Sequence, residues 1–190
     1  MHFAAPDAAI SSALLIISRA KIRCGSTKVV AVDGPSGSGK TDFANTLAQC
    51  LPKAQTLHMD DLYPGWNGLA QAVADLHDQV LTPIAEERQG TYRRWDWEHS
   101  RYGEWNGLPA TSLLLVEGVG SGAKPGWQFV STLIWLEADM QKRFRRGIER
   151  DGESYLPFWR RWAMHEDALF ASDGTRNRAH LVVNTSDDER

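Results

Sequence analysis

At 190 residues the chain has the length of one domain with a sizeable core, and a second folded domain is not expected. A formal net charge of -3 and a pI near 6.1 exclude the basic balance of a general nucleic-acid binder and point to small-molecule partners. Cys24 and Cys50 have neither metal-ligand spacing nor disulfide-scaffold density, so both read as packing residues in a reduced, cytoplasmic setting.

The apolar run over 13–17 has the length of a signal-peptide core. No basic segment precedes it, and Arg19, Lys21 and Arg23 follow it where small residues would mark a cleavage site. Ile10, Leu14, Ile17 and Ala20 recur at helical spacing after Pro6-Asp7, which predicts a helix within residues 1–27 packed on the domain. No stretch approaches the roughly 18 consecutive apolar residues of a membrane span. No internal repeat or low-complexity linker is found.

Residues 29–32, Val-Val-Ala-Val, read as a buried strand. It breaks into Gly34-Pro35-Ser36-Gly37-Ser38-Gly39-Lys40-Thr41, the spacing of a phosphate-binding loop that opens a helix. Gly34, Gly37 and Gly39 permit backbone angles and close approach that a side chain would block, so successive N–H groups turn inward on phosphate oxygens. Lys40 then supplies a cation to the β- and γ-phosphates and should be exposed to ligand, not packed. The Thr41 hydroxyl can ligate Mg²⁺, and Asp42 follows it in the first turn. The helix adds the positive end of its dipole, and Phe43, Leu47 and Leu51 form its apolar stripe. A Gly/Ser linker would need neither the strand before nor the amphipathic helix after.

A second strand is predicted over 54–59, ending at Asp60-Asp61. Carboxylates at the C-terminal end of a strand in an open α/β sheet face the ligand crevice, so Asp60 and Asp61 are candidates to orient a hydroxyl or hold Mg²⁺. Turn chemistry before Pro64-Gly65 explains them equally well. Residues 69–88 read as helical, kinked or divided at Pro83. The segment Tyr92-Arg93-Arg94-Trp95-Asp96-Trp97-Glu98-His99-Ser100-Arg101 combines rings with charge. It suits a pocket that stacks a planar or sugar-like ligand, or a β-hairpin whose rings cover the core edge.

Residues 112–116 predict another buried strand, ending in Glu117, where a carboxylate engages Mg²⁺ directly or through water as counterpart of Thr41. A strand over 132–136 precedes a helix bearing Arg143, Arg145, Arg146 and Arg150. Glu149 and Asp151 would neutralise part of a solvated face, whereas a lid closing over phosphates would use the guanidinium groups as bidentate donors. Residues 157–170 predict a helix whose Trp and Phe residues pack the core. A last strand covers 179–184 and a solvated tail 186–190.

The ordered set Val-Asp-Gly-Pro-Ser-Gly-Ser-Gly-Lys-Thr, Asp60-x-Leu62-Tyr63, Val116-Glu117-Gly118 and Arg143-x-x-Arg146-x-x-x-Arg150-Asp151 resembles the uridine kinase branch of the P-loop kinases. The resemblance runs through most of residues 29–185. It implies a three-layer α/β fold, a five-stranded parallel sheet flanked by helices with an Arg-bearing lid, and ATP-Mg²⁺ as phosphoryl donor. It places Asp60, not Asp61, at the family's catalytic aspartate, with Leu62 in place of the usual Phe. Uridine kinases carry a segment like Tyr-Asp-Phe-x-x-His-Ser-Arg against the nucleoside. Here the sequence is Trp95-Asp96-Trp97-Glu98-His99-Ser100-Arg101, one residue shorter before His, so the phosphate machinery transfers more directly than the acceptor pocket.

The expected reaction is in-line transfer of the γ-phosphoryl group to a substrate hydroxyl, with uridine or another nucleoside as acceptor. Asp60 orients the acceptor; Lys40, Arg143 and Arg146 stabilise transferring charge; Arg150 contacts nucleotide; Thr41, Glu117 and Asp60 serve the metal. Tyr63, Tyr92, Trp95, Asp96, Trp97, His99 and Arg101 are the expected acceptor contacts. A kinase for another small hydroxyl metabolite and a slow-ATPase regulatory protein are the alternatives, and acceptor dependence of ADP release separates the last from the kinases.

Overall fold

The computed structural model describes residues 7–152 and 156–186. Pro6, expected at the start of the first helix, and residues 187–190 of the expected tail lie outside them. Five strands form one parallel sheet in the order β2-β5-β1-β6-β7, where β1 is Lys28–Asp33, β2 Gln55–His58, β5 Leu113–Glu117, β6 Val130–Glu137 and β7 Leu181–Asn184. Two more, β3 (Gly90–Asp96) and β4 (Arg101–Leu108), pair only with each other as an antiparallel hairpin.

The strand period of two sends alternate residues to opposite layers. Val30 and Val32 pack with Ile10, Ala13 and Ile17 of α1 (Asp7–Arg19) and with Phe43 and Leu47 of α2 (Lys40–Cys50). Val29 and Ala31 face the other way, onto Leu69, Ala72 and Val73 of α3 (Leu69–Asp75) and onto Trp162. Full burial of each such valine contributes about 1.5–3 kcal/mol, which is why β1, covered on both faces, reads as a continuous apolar run. The Gly34-to-Thr41 loop therefore leaves the sheet's centre.

The stretch expected to be kinked or divided at Pro83 is one helical path with a local change of pitch. Proline cannot donate to the preceding turn, and the chain widens into a π-helical segment over Leu76–Leu81 before continuing as α4, Thr82–Ala85. A short α5 (Lys124–Trp127) leads into β6. The arginine-bearing α6 is Met140–Asp151, and α7 is Leu156–Asp173. Among the described residues no helix is long and apolar enough to cross a membrane.

Candidate active site

The loop after β1 is held from three directions. Asp33, fully buried, accepts the N–H of Gly34 (2.7 Å) and Gly120 (2.9 Å) on one carboxylate oxygen and that of Gly122 (2.9 Å) on the other, which staples the loop's first residue to the chain leaving β5. Burial pushes this carboxyl up to about 6, against the pull of those three amides. Gly37 has φ +75° and packs so closely on the first turn of α6 that a Cβ would sit 2.3 Å from the Arg143 carbonyl oxygen. Gly39 caps α2 in the left-handed region, and no side chain caps that helix. An N-terminal turn without a side-chain cap is the kind of helix end at which an anion can be bound. The Ser38 hydroxyl, buried and without a hydrogen-bond partner, sits in the same loop.

Ser36, Lys40, Thr41, Asp60, Glu117, Gly118, Val119 and Arg150 line one cleft at the C-terminal ends of β1, β2 and β5. Lys40 corrects one expectation. Only 8% of it is exposed, and its Nζ curls back to donate to the Pro35 carbonyl at 3.1 Å. Burial lowers its pKa, and four acids, Glu166, Glu117, Asp33 and Asp60, oppose that shift. The Thr41 hydroxyl donates to Glu117 Oε2 at 3.4 Å, and His58 Nδ1 meets Glu117 Oε1 at 2.7 Å. That bond raises the His58 pKa, with burial opposing. A hydroxyl and a carboxylate are hard-oxygen donors suited to Mg²⁺, which is commonly held by one or two protein groups plus phosphate oxygens and water. Among the described residues no group of three His, Cys, Asp or Glu converges on a metal position.

Asp60 lies in a 3-10 turn, Met59–Asp61, directly after β2. It keeps an exposed surface toward the cleft, yet the walls crowd its carboxyl. Burial first, then repulsion from Glu117, raises its pKa, while Arg150 and Lys40 pull it down. Asp61 points elsewhere and pairs with Arg94 Nε of β3 at 2.8 Å. The two adjacent carboxylates thus divide between cleft and scaffold. Asp42, grouped with the loop on sequence, sits in the first turn of α2 and outside the residues that line the cleft.

The arginines divide as well. Arg143 donates from Nη1 to the Ser36 carbonyl at 3.2 Å; Arg146 donates to the carbonyls of Gly37 (3.4 Å) and Thr185 (3.1 Å) and to the Thr185 hydroxyl (3.0 Å). Both were expected over the transferring phosphate, and in this structure both are bonded to backbone of the loop. Arg150 is the one that lines the cleft; its guanidinium also pairs with Asp151 at 2.7 Å.

The expected acceptor residues do not form one cluster. Tyr63 is buried, its hydroxyl donates to the Val119 carbonyl at 2.8 Å and its ring meets Trp162 edge-on, so it belongs to the core. Tyr92 is half-buried against the same core. Trp95 packs edge-on against Tyr102, and Arg101 is exposed opposite Asp96 in the hairpin register. Asp96 accepts the His99 N–H (3.0 Å) and meets its Nδ1 (2.9 Å), so this pair first of all closes the hairpin turn. These contacts, the backbone N–H of His99 foremost, hold the Asp96 carboxyl below its ordinary range. Of the hairpin residues among them, Trp97 reaches the cleft's edge. Its Nε1 donates to the Asp60 carbonyl at 2.9 Å, and its ring tilts against Trp66, which stacks on Phe158 of α7.

Sequence reasoning missed Glu166, His58 and Asp33. Glu166 carried a signal: with Trp159, Trp162 and Asp173 it lies on the buried face of α7, and a lone acid at i+4 from a buried Trp requires a partner. The partner is the loop after β1, since Glu166 Oε1 accepts from the Ser36 N–H (3.0 Å) and hydroxyl (2.5 Å).

No protein-family model matches the chain, and no curated protein matches it in sequence. Solved structures do. A possible uridine kinase from Bacillus stearothermophilus superimposes with a TM-score of 0.63 at 22% identity, over 92% of this chain and 97% of that one. A candidate fructose transport system kinase from a Silicibacter species does so at 0.56 and 18%, over 92% and 98%. At these identities the likeness establishes the fold. It is an α/β fold, a five-stranded parallel sheet flanked by helices.

Proposed function

We propose that the chain is a small-molecule kinase that transfers the γ-phosphoryl group of Mg-ATP to a hydroxyl acceptor, with a nucleoside such as uridine as the acceptor class. The observation that carries this is the meeting of uncapped first-turn amides, Lys40, Thr41 beside Glu117, and Asp60 in one cleft. Both structural neighbours bear kinase names, one of them a possible uridine kinase.

The loop amides and Lys40 bind and orient the triphosphate, and Lys40 and Arg150 balance charge that spreads over the transferring oxygens. Thr41 and Glu117 would hold Mg²⁺, which would supply charge neutralisation to the nucleotide phosphates. Asp60 accepts the hydrogen bond of the acceptor hydroxyl and aligns it for in-line attack. Its raised pKa favours taking up the proton as the new P–O bond forms. Trp97 and the Asp96–His99 turn form the acceptor-side wall, whereas Tyr63 and Tyr92 support it from the core. A screen of nucleosides, sugars and other small alcohols, read as acceptor-dependent ADP release, tests the reading. ADP release that rises with a nucleoside supports it. Saturation by a different alcohol moves the substrate class, and ADP release independent of every acceptor replaces the kinase with a nucleotide-hydrolysing switch.

A further inference from the structure

Every polar atom of Ser36 is engaged from behind the loop. Its N–H and hydroxyl donate to Glu166 Oε1, its hydroxyl oxygen accepts the Trp162 indole N–H at 2.9 Å, and its carbonyl accepts Arg143 Nη1 at 3.2 Å. Trp162 and Glu166 are successive buried positions of α7. Glu166 is 1% exposed, 3.9 Å from Arg143 Nη1, and the foremost of the acids that hold a charge on Lys40. Ser36 nevertheless lines the cleft. The loop's third residue is therefore clamped by two helices on one side and faces the proposed phosphate site on the other.

We propose that Glu166 is a positioning residue of the phosphate loop: by holding Ser36 it fixes the bend from which Lys40 and the later amides face the nucleotide, and it does so by reach rather than by charge. The inference rests on the kinase reading. A negative charge next to a polyphosphate site opposes anion binding even as it supports the charge on Lys40, so charge is not what the contact with Ser36 requires. An acceptor oxygen at the right distance is. Two donors of one residue bonded to one oxygen fix both its backbone and its side chain, and loss of such a buried acceptor leaves an N–H unsatisfied.

Glu166→Gln keeps an acceptor oxygen at full length without the charge; Glu166→Asp keeps the charge and withdraws it by one methylene. Calorimetric titration with MgATP, without acceptor, should show Glu166→Asp weaker than wild type by about tenfold or more and Glu166→Gln within about threefold. In ligand-free protein the Ser36 amide should exchange slowly in wild type and in Glu166→Gln, and rapidly in Glu166→Asp. If the wild-type chain binds no MgATP, the kinase reading and this inference fall together. If wild type binds and Glu166→Asp binds equally well, this inference alone falls, and a lowered melting temperature with unchanged affinity has the same meaning. A Glu166→Gln variant as weak as Glu166→Asp overturns reach in favour of charge. A Ser36 amide that exchanges as fast as an open loop in wild type overturns the clamp itself.

Discussion

The loop between β1 and α2 and the tip of the β3–β4 hairpin both border Asp60, and they are built in opposite ways. The loop's polar groups are fixed by the protein behind it: Asp33 binds Gly34, Glu166 and Arg143 bind Ser36, and Arg146 binds Gly37. The first turn of α2, whose Lys40 and Thr41 line the cleft, has no side-chain cap, and the buried Ser38 hydroxyl has no hydrogen-bond partner among the described residues. At the hairpin tip the polar groups satisfy one another locally, Asp96 with His99, and one long-range bond, Trp97 to Asp60, ties the tip to the sheet. A site for a fixed ligand is preorganised, with the cost of orienting donors met in folding. A self-satisfied turn keeps its shape with or without a ligand, which suits a wall that sets specificity more than one that supplies binding energy.

The largest expected effect breaks the loop. Lys40→Met keeps the buried aliphatic stem and removes the cation, and should lower kcat by about 10²–10³-fold, the scale for removing one preorganised donor; wild-type turnover in the purified variant would remove Lys40 from the mechanism. Next is Asp60→Asn, which should lower kcat by roughly 10²-fold with nucleotide affinity kept. Asp61→Asn breaks only the Arg94 pair and should leave kcat near wild type and stability within about 1 kcal/mol. The reverse ranking would shift the catalytic assignment by one residue.

At the hairpin, Asp96→Ala should cost about 1–3 kcal/mol in kcat/KM for the acceptor, with nucleotide Kd unchanged. If acceptor kinetics hold and only the melting temperature drops, the Asp96–His99 pair is a turn staple and nothing more. Trp97→Phe keeps the ring against Trp66 and deletes one hydrogen bond to the Asp60 backbone, a loss of about 0.5–1.5 kcal/mol on the same measurement. An identical kcat/KM would detach the hairpin from Asp60.

The smallest effect reports on the carboxylate beside the loop. In metal-free protein, NMR titration should place the His58 pKa above 6.5, and Glu117→Gln should bring it back toward that value. Because the folded pKa is the higher one, the pair's contribution to stability is complete below about pH 6.5 and is lost as pH rises through the folded value. A wild-type His58 that titrates at or below 6.5 would show that the 2.7 Å contact with Glu117 is not made in solution.

The central strands, the loop and its helix were legible in the sequence because their determinants are contiguous. A strand buried on both faces must be a run of apolar residues, and a loop that turns through positive φ at Gly34, Gly37 and Gly39 must place glycines there. Pattern likewise separated strand ends from helices, and the resemblance singled out Asp60 from Asp61. What only the tertiary structure decided are matters of direction and burial. Tyr63 reads as a ligand contact in sequence, but its hydroxyl is turned inward to Val119. Arg143 and Arg146 read as lid cations, and the packing of α6 on Gly37 directs them to loop carbonyls. Glu166 lies 130 residues from Ser36, and no local rule links them. A side chain's chemistry is written in its own residue, whereas its partner is set by which helix folds back beside it.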